Sequence, residues 1–457
     1  MSNFTKGQSY GYRVMYAGYN TFITGGGGVG KTYLLNKFIS DSIDEGKNVM
    51  VCAPTGIASL NLDGVTLHRA FEAPIGALTY SKHSYSANDT LINSDIVIID
   101  EISMCRMDLF DFISNKILDA NRVRKTLGKN VIQLIVSGDF FQLPPVTTAS
   151  EKFALDRYYG YDVGLAFAFQ SKFWKYFDFK VVLLDEVVRQ DEADFIHDLD
   201  KIRTGNKTYI DNIYNKSAKE NIDDAITICG KNSEVIEINK YKLNSIQNQE
   251  YVYTAVIEGD ATDSDVLADK DLHVKVGARV MTLVNNDMHK NGSMGIIKSL
   301  YSDAIIVSLD DGTEAIVRPY TWDIYTYDLE IGINTDDIKL VKKLSGRFTQ
   351  FPIKLAYAIT IHKSQGQTYN SANISPYCWD CGQIYVALSR VRKLENIYFT
   401  YNPSINYVVV SLNVIAFYNE CLSKCNSINI EKHENKDTKT MSNDMLTLLN
   451  KLKSLGE

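Results

Sequence analysis

Two short stretches hold the residues from which this chain could do chemistry. The first is Gly25-Gly26-Gly27-Gly28-Val29-Gly30-Lys31-Thr32, directly after the apolar run Thr21–Thr24. It has the form G-x-x-x-x-G-K-[ST], a phosphate-holding loop. Its glycines let backbone amides close on a phosphate, and the helix that follows presents its positive end. Lys31 would neutralise the β- and γ-phosphates of a nucleotide, and the Thr32 hydroxyl would reach Mg²⁺. The second is Ser94-Asp95-Ile96-Val97-Ile98-Ile99-Asp100-Glu101, an apolar strand with two carboxylates at its tip. Beside a bound nucleotide these acids divide the work: Asp100 would hold Mg²⁺ through water, and Glu101 would take the proton of the attacking water.

Such residues must be positioned by elements that end where they begin. The apolar runs Thr21–Thr24, Val49–Ala53, Ile96–Ile99 and Gln133–Ser137 each close in polar or glycine-rich chemistry. Buried strands with reactive residues at their carboxyl ends predict a parallel α/β sheet. Residues 181–184 predict a further strand, followed by a helix over 191–203. Residues 275–345 carry short β runs with an Asp311-Gly312 turn, which predicts an inserted antiparallel barrel or sheet. α/β patterning resumes at Ile353–Ile361 and Ile384–Leu388. The expected division is 1–184 for the first domain, 185–274 with 346–425 for the second, 275–345 for the inserted module, and 426–457 for a polar tail whose segment 445–455 has amphipathic helical spacing.

The chain has 457 residues, enough for two to four domains, and 45% apolar with 23% charged residues suits a globular protein. A net charge of −7 argues against a protein that merely coats nucleic acid; a polyanion would need a local groove. Seven cysteines in this length are no disulfide scaffold. The pairs Cys378/Cys381 and Cys421/Cys425 are read as reduced thiols rather than a zinc site, because their spacing fits no known ribbon or finger. The first ten residues lack a basic-then-apolar leader pattern, and no run of about 18 apolar residues occurs, so a soluble intracellular protein is expected.

Further along stands Gly138-Asp139-Phe140-Phe141-Gln142-Leu143-Pro144-Pro145-Val146. This stretch, after Asp100-Glu101-Ile102-Ser103-Met104, resembles motifs two and three of the superfamily-one DNA helicases, in the petite-integration-frequency (PIF-type) branch related to the RecD and Dda enzymes. The resemblance runs from about residue 8 to about residue 400. Ala53–Phe71 resembles the family's single-strand contact segment, and Asp100–Ile113 the branch's own signature. LDEVVRQDEADFIHDLDKIRTGN resembles motif four, Asn291–Ile297 lies in the inserted module, Ala356–Thr368 resembles motif five, and Tyr385–Arg392 motif six. Val29 and the pair Gly26-Gly27 depart slightly from the family's loop, in ways a phosphate loop tolerates.

The resemblance implies two RecA-like parallel-sheet domains, with a small β-rich module inserted in the second, facing each other across ATP and Mg²⁺. Gln8 would read the adenine, Gly25 to Thr32 and Gly366 would line the nucleotide, and Gln142 would sense the γ-phosphate. Arg189 and Arg390 would reach in from the second domain as transition-state stabilisers. Thr55, His68 and Phe71 from the first domain, with Thr360, His362, Lys363 and Ser364 from the second, would hold single-stranded DNA: hydroxyls and lysine on phosphates, His and Phe against bases. Residues 72–93 would form a small wedge that splits a duplex. The implied activity is ATP-driven movement along single-stranded DNA in the 5′-to-3′ direction with unwinding of forked duplex, by a monomer without membrane attachment, in replication, repair or recombination. An RNA-directed motor and a non-motor switch ATPase are the alternatives; the second leaves Ala358–Thr368 without a purpose.

Overall fold

The computed structural model describes residues 4–60, 62–79, 86–187, 192–289, 291–331 and 338–427. Six short strands make the first sheet: β1 (Thr21–Thr24), β2 (Val49–Ala53), β3 (Val65–Thr66), β4 (Ile96–Ile99), β5 (Gln133–Ser137) and β6 (Lys180–Leu183). Their order is β3-β2-β4-β5-β1-β6, every pairing parallel. β1, β2 and β4 are buried along their whole length, which is why they read as unbroken apolar runs. Because the strands run one way, the glycine loop after β1, the acids after β4 and Gly138-Asp139 after β5 all open on one edge of the sheet.

The second sheet begins with β7 (Ile226–Cys229). The chain then leaves for a β-rich excursion: β8 (Glu250–Thr254), β9 (Val256–Gly259), β10 (Asp271–Lys275), β11 (Arg279–Thr282), β12 (Met294–Leu300), β13 (Ile305–Leu309), β14 (Glu314–Val317), β15 (Tyr320–Ile331), β16 (Ile338–Gln350) and β17 (Ile353–Leu355). These form a β14-β13-β12-β11-β17 sheet, a β10-β8 pair and a β15-β16-β9 sheet. The β13–β14 turn uses Asp311-Gly312, with Gly312 at φ 85°. The chain returns through β18 (Ala358–Thr360), β19 (Ala372–Ile374) and β20 (Ile397–Phe399), giving a parallel sheet of order β18-β7-β19-β20. The β-rich stretch therefore runs from Glu250 to Leu355, wider than the expected 275–345. β8 and β9 are mostly exposed and lack the alternation that marks a half-buried strand, so nothing local announces them.

Two long-range contacts differ from the sequence expectation. The helix Leu412–Ser427, expected with the second domain, packs on the first. Val414, Phe417, Tyr418 and Cys421 form one stripe, and that stripe covers the β6 edge of the first sheet. Phe417 stacks on Phe169 at 4.3 Å between ring centres and meets Phe140, Trp174 and Phe22 at 5.5, 5.6 and 5.9 Å. The long β15–β16 arm also reaches the first domain. β3 is only two residues long, so it leaves the backbone of Val51 in β2 uncovered. The Tyr327 hydroxyl accepts from Val51 N at 2.8 Å and donates to Val51 O at 3.3 Å, while Leu340 N donates to Asn48 Oδ1 at 2.9 Å. Residues 80–85 of the expected wedge and the tail beyond 427 lie outside the described residues. Among the described residues no helix is long and apolar enough to cross a membrane. Truncating the ring at the centre of the aromatic cluster, Phe417→Ala, should remove about 2–4 kcal/mol of packing and lower the thermal unfolding midpoint by several degrees in a calorimetric scan.

Candidate functional site

The phosphate loop is shaped by close neighbours. Gly25 sits at φ 147°, and a Cβ there would stand 2.2 Å from the Leu184 carbonyl oxygen. Gly30 sits at φ 79°, with its Cβ position 2.4 Å from Gln8 Nε2. Neither place admits a side chain. Gln8 comes from the helix Lys6–Tyr16 and braces the loop from behind: Nε2 donates to Val29 O at 3.2 Å, and Oε1 accepts from Thr5 N at 3.0 Å. Lys31 opens the helix Lys31–Asp44 and folds back, donating to the carbonyls of Gly25 and Gly26 at 2.9 and 3.0 Å. Desolvation lowers its pKa, against the pull of Asp139, Glu101 and Asp100. A phosphate would draw the ammonium away from those carbonyls.

Asp100 is buried at the tip of β4, and Glu101 follows in a left-handed conformation at φ 50°. Desolvation first, then the charge of Asp100, pushes Glu101 up to about 7, with Lys31 and Arg390 pulling the other way. Burial raises Asp100 too. Among the described residues no cluster of three or more His, Cys, Asp or Glu forms a metal cage. One carboxylate from Asp100 and one hydroxyl from Thr32 nevertheless suit Mg²⁺, an ion that keeps its waters and takes phosphate oxygens as ligands. Cys378 lies in the core of the second domain and Cys421 in that of the first, so the two cysteine pairs do not converge.

The second domain closes on this edge with residues that local pattern did not single out. The Tyr385 hydroxyl accepts from Gly27 N at 2.7 Å, filling a place where a phosphate oxygen would go. Arg203, at the end of the helix Ala193–Arg203, clamps Asp139 with Nε and Nη2, each at 2.9 Å. Its guanidinium lies between the rings of Phe141 and Tyr418 at 4.7 and 5.1 Å. A cavity of about 410 Å³ opens beside Gly25–Gly27, lined also by Arg203, Tyr385 and Ser389. Gln365 Nε2 donates to Glu101 Oε2 at 3.1 Å, while its Oε1 is buried without a hydrogen-bond partner among the described residues. Arg390 is buried: Nε donates to Val386 O at 2.8 Å and Nη2 to Ser389 Oγ at 2.7 Å, and its charge acts on Glu101. Gln142 is buried against Asp139, at 3.4 Å. Arg189 lies outside the described residues. Arg203, Gln365 and Tyr385 all fall inside stretches already recognised as motifs, but only their contacts mark them out.

Five of the expected strand contacts stand at or near the surface or at helix starts. Thr55 Oγ1 accepts from Ala58 N at 3.2 Å, and Thr360 Oγ1 from Lys363 N at 3.2 Å, each capping a short helix. His68 and His362 are part-buried, and desolvation lowers the pKa of both, so each is a neutral ring near pH 7. Lys363 is exposed, as is Gly366. The remaining two are corrections. Phe71 is 0% exposed, packed in the core of the first domain, and has no face for a base. Ser364 is also fully buried, donating to Ile361 O at 2.8 Å. Phe71 caps the one-turn helix Leu67–Ala70 and Ser364 ends the one-turn helix Ile361–Ser364, each turned inward, an orientation that the order of residues within the motif does not reveal.

Residues 10–219 match the PIF1-like helicase family model. The Bacteroides sp. Pif1 in complex with ADP-AlF4 is 34% identical over 93% of this chain and 98% of that one, with a TM-score of 0.78. The chain belongs to the Pif1-like helicase family. The ATP-dependent DNA helicase Pif1 of Campylobacter jejuni is 29% identical over 91% of this chain and 97% of its own length. Against Pif1 proteins of a Psychrobacter strain and of Danio rerio, this Pif1-like helicase spans 66% and 63% of their length. The Bacteroides protein bound to single-stranded DNA gives a TM-score of 0.66 at the same 34% identity, so the present arrangement is nearer to that of the complex with ADP-AlF4 alone.

Two outcomes follow from this geometry. If Glu101 takes the proton, kcat/KM for ATP falls roughly ten-fold per pH unit as pH drops through about 7, because the protonated carboxyl cannot accept it. A steady-state ATPase profile that stays flat from about pH 6 to 8 removes Glu101 from that role. Tyr385→Phe removes the hydroxyl that pairs with the Gly27 amide. Nucleotide then binds about 1 kcal/mol more tightly, roughly five-fold, in a titration with fluorescent ADP; weaker binding would mean that the hydroxyl serves the occupied site instead.

Proposed function

We propose that this ATP-dependent DNA helicase moves 5′-to-3′ along single-stranded DNA as a monomer and splits forked duplex ahead of it. One observation carries the mechanism. Gln365, two residues beyond Lys363 in the segment assigned to the strand, hydrogen-bonds Glu101, the residue assigned to activate water. A change of grip on the strand would therefore be felt at the hydrolytic base. Lys31 and the loop amides would hold the β- and γ-phosphates, and Gln142 would lie against the γ-phosphate. Arg390, with Arg189, would turn onto the transferring phosphate when the cleft closes, where a cation stabilises charge developing in the transition state. Mg²⁺, held by Thr32 and through water by Asp100, would neutralise phosphate charge.

Grip on DNA would come from Thr55, His68, Thr360, His362 and Lys363. The relatives crystallised with single-stranded DNA and at forked duplex support this substrate. Both walls of the cleft belong to one chain, which supports action as a monomer. The wedge reading draws on Ile75, which is 94% exposed between Pro74 and Gly76. Its base is held firmly: Arg106 Nη2 donates to Gly76 O at 2.6 Å, and Leu78 N donates to Asp108 Oδ2 at 2.8 Å. An apolar side chain on a braced loop has the form needed to part a base pair.

Strand displacement on forks bearing a single tail tests this directly. Forks with only a 5′ tail should unwind and forks with only a 3′ tail should not; the reverse result overturns the direction. Ile75→Asp should slow unwinding by roughly ten-fold while strand-stimulated ATPase continues, since the wedge acts on duplex alone. Lys31→Ala and Glu101→Gln should abolish turnover and keep single-strand binding. Hydrolysis stimulated by RNA but not by DNA of matched sequence would favour an RNA-directed motor.

A further inference from the structure

The stretch Phe141-Gln142-Leu143 belongs to two domains at once. Phe141 packs in the core of the first domain, and Leu143, 0% exposed, packs in that of the second. Gln142 stands at the seam between them. The second domain also covers the backbone there: a Cβ on Gly382 would stand 2.5 Å from the carbonyl oxygens of both Phe141 and Gln142. The Gln142 side chain is held through Asp139. Its Nε2 donates to Asp139 Oδ2 at 3.4 Å, and Phe141 N donates to Oδ1 at 3.2 Å. The same two oxygens accept from Arg203 of the second domain, Oδ2 from Nε and Oδ1 from Nη2, each at 2.9 Å.

Arg203 and Asp139 are both buried, and a buried ion pair adds little stability that an apolar pair would not supply. What this pair supplies is geometry. A planar guanidinium bound at two points, with the rings of Phe141 and Tyr418 at 4.7 and 5.1 Å, allows the carboxylate one orientation. Both rings pack with the first domain, so Arg203 is a second-domain knob in a first-domain socket. The bond from Gln142, by contrast, is long and weak. Its amide can turn to a phosphate while Asp139 keeps its place. We propose that Arg203 is a positioning residue for hydrolysis: by holding Asp139 at two points, it sets the place from which Gln142 meets the γ-phosphate. It does so only while the second domain is docked on the first. Withdrawal of that domain takes Arg203 from Asp139 and Gly382 from the backbone beside Gln142, so hydrolysis is confined to the closed cleft.

This proposal rests on the reading of Gln142 as the residue that meets the γ-phosphate, and the experiment separates the two. Steady-state ATPase of the full chain with saturating oligo-dT gives kcat. A titration with fluorescent ADP, which has no γ-phosphate, gives nucleotide affinity, and a thermal scan gives the unfolding midpoint. Arg203→Lys keeps a charge beside Asp139 but loses the two-point fork and the ring contacts. It should lower kcat roughly 10- to 100-fold, the scale of a misplaced group at the reacting centre, and leave ADP affinity within about two-fold. Tyr418→Leu opens one side of the socket and leaves the pair, so it should lower kcat by less, about five-fold. Neither change should slow hydrolysis further on a Gln142→Ala background, because residues that act through one another do not add. Losses that multiply on that background mean that Arg203 acts by another route, and the proposal falls. It falls also if Arg203→Lys keeps the wild-type kcat, or if kcat, ADP affinity and midpoint drop together, which is general damage to the fold. Wild-type kcat in Gln142→Ala alone removes the reading of Gln142, and this proposal with it.

Discussion

A phosphate seat is made of backbone amides left without partners, and such amides are unfavourable wherever protein covers them. The loop after β1 answers this constraint by borrowing groups from elsewhere. The hydroxyl of Tyr385, far along the chain in the second domain, takes the Gly27 amide. Lys31 satisfies its own donors on the carbonyls of Gly25 and Gly26. Gln8 pins the Val29 carbonyl from behind. A nucleotide's phosphates must replace these contacts, and one of them comes from the second domain itself. Nucleotide binding and the position of that domain become linked without any further device.

The same logic organises the charges. Asp139 is fully buried and faces both Lys31, electrostatically, and Arg203, in a two-point clamp. Removing a buried pair's partner is far more damaging than replacing both, so this clamp fixes where the end of the helix Ala193–Arg203 must lie. The returning helix Leu412–Ser427 completes the enclosure with Tyr418 over the guanidinium. Its stripe of Val414, Phe417 and Cys421 explains why it returns: it joins the apolar core beside the β6 edge. Packing of one helix and placement of one arginine are therefore a single structural fact.

These dependencies show how much was legible in the sequence. The strands Thr21–Thr24, Val49–Ala53, Ile96–Ile99 and Gln133–Ser137 stand at the limits that their apolar runs predict, because strands buried on both faces need no alternation to be seen. The loop and the two acids were equally plain, since spacing within a few residues defines their chemistry. Tyr385, Arg203 and Gln365 were not, although each lies in a quoted stretch: their partners are 358, 64 and 264 residues away. Phe71 and Ser364 failed for a different reason. A motif states which residues occur together, while burial depends on which way each one turns at the end of its short helix.

The arm β15–β16 extends the argument from the cleft to the strand path. Tyr327 completes the backbone of Val51, and Val51 stands four residues before Thr55 on the strand that leads into the first domain's DNA segment. Lys342 of the same arm pairs with Asp63, within that segment. The arm thus holds the entry and the middle of the segment Ala53–Phe71. Tyr325, Tyr327 and Leu340 also pack against the first domain's core, so apolar contact holds the arm together with these hydrogen bonds, each worth about 1 kcal/mol.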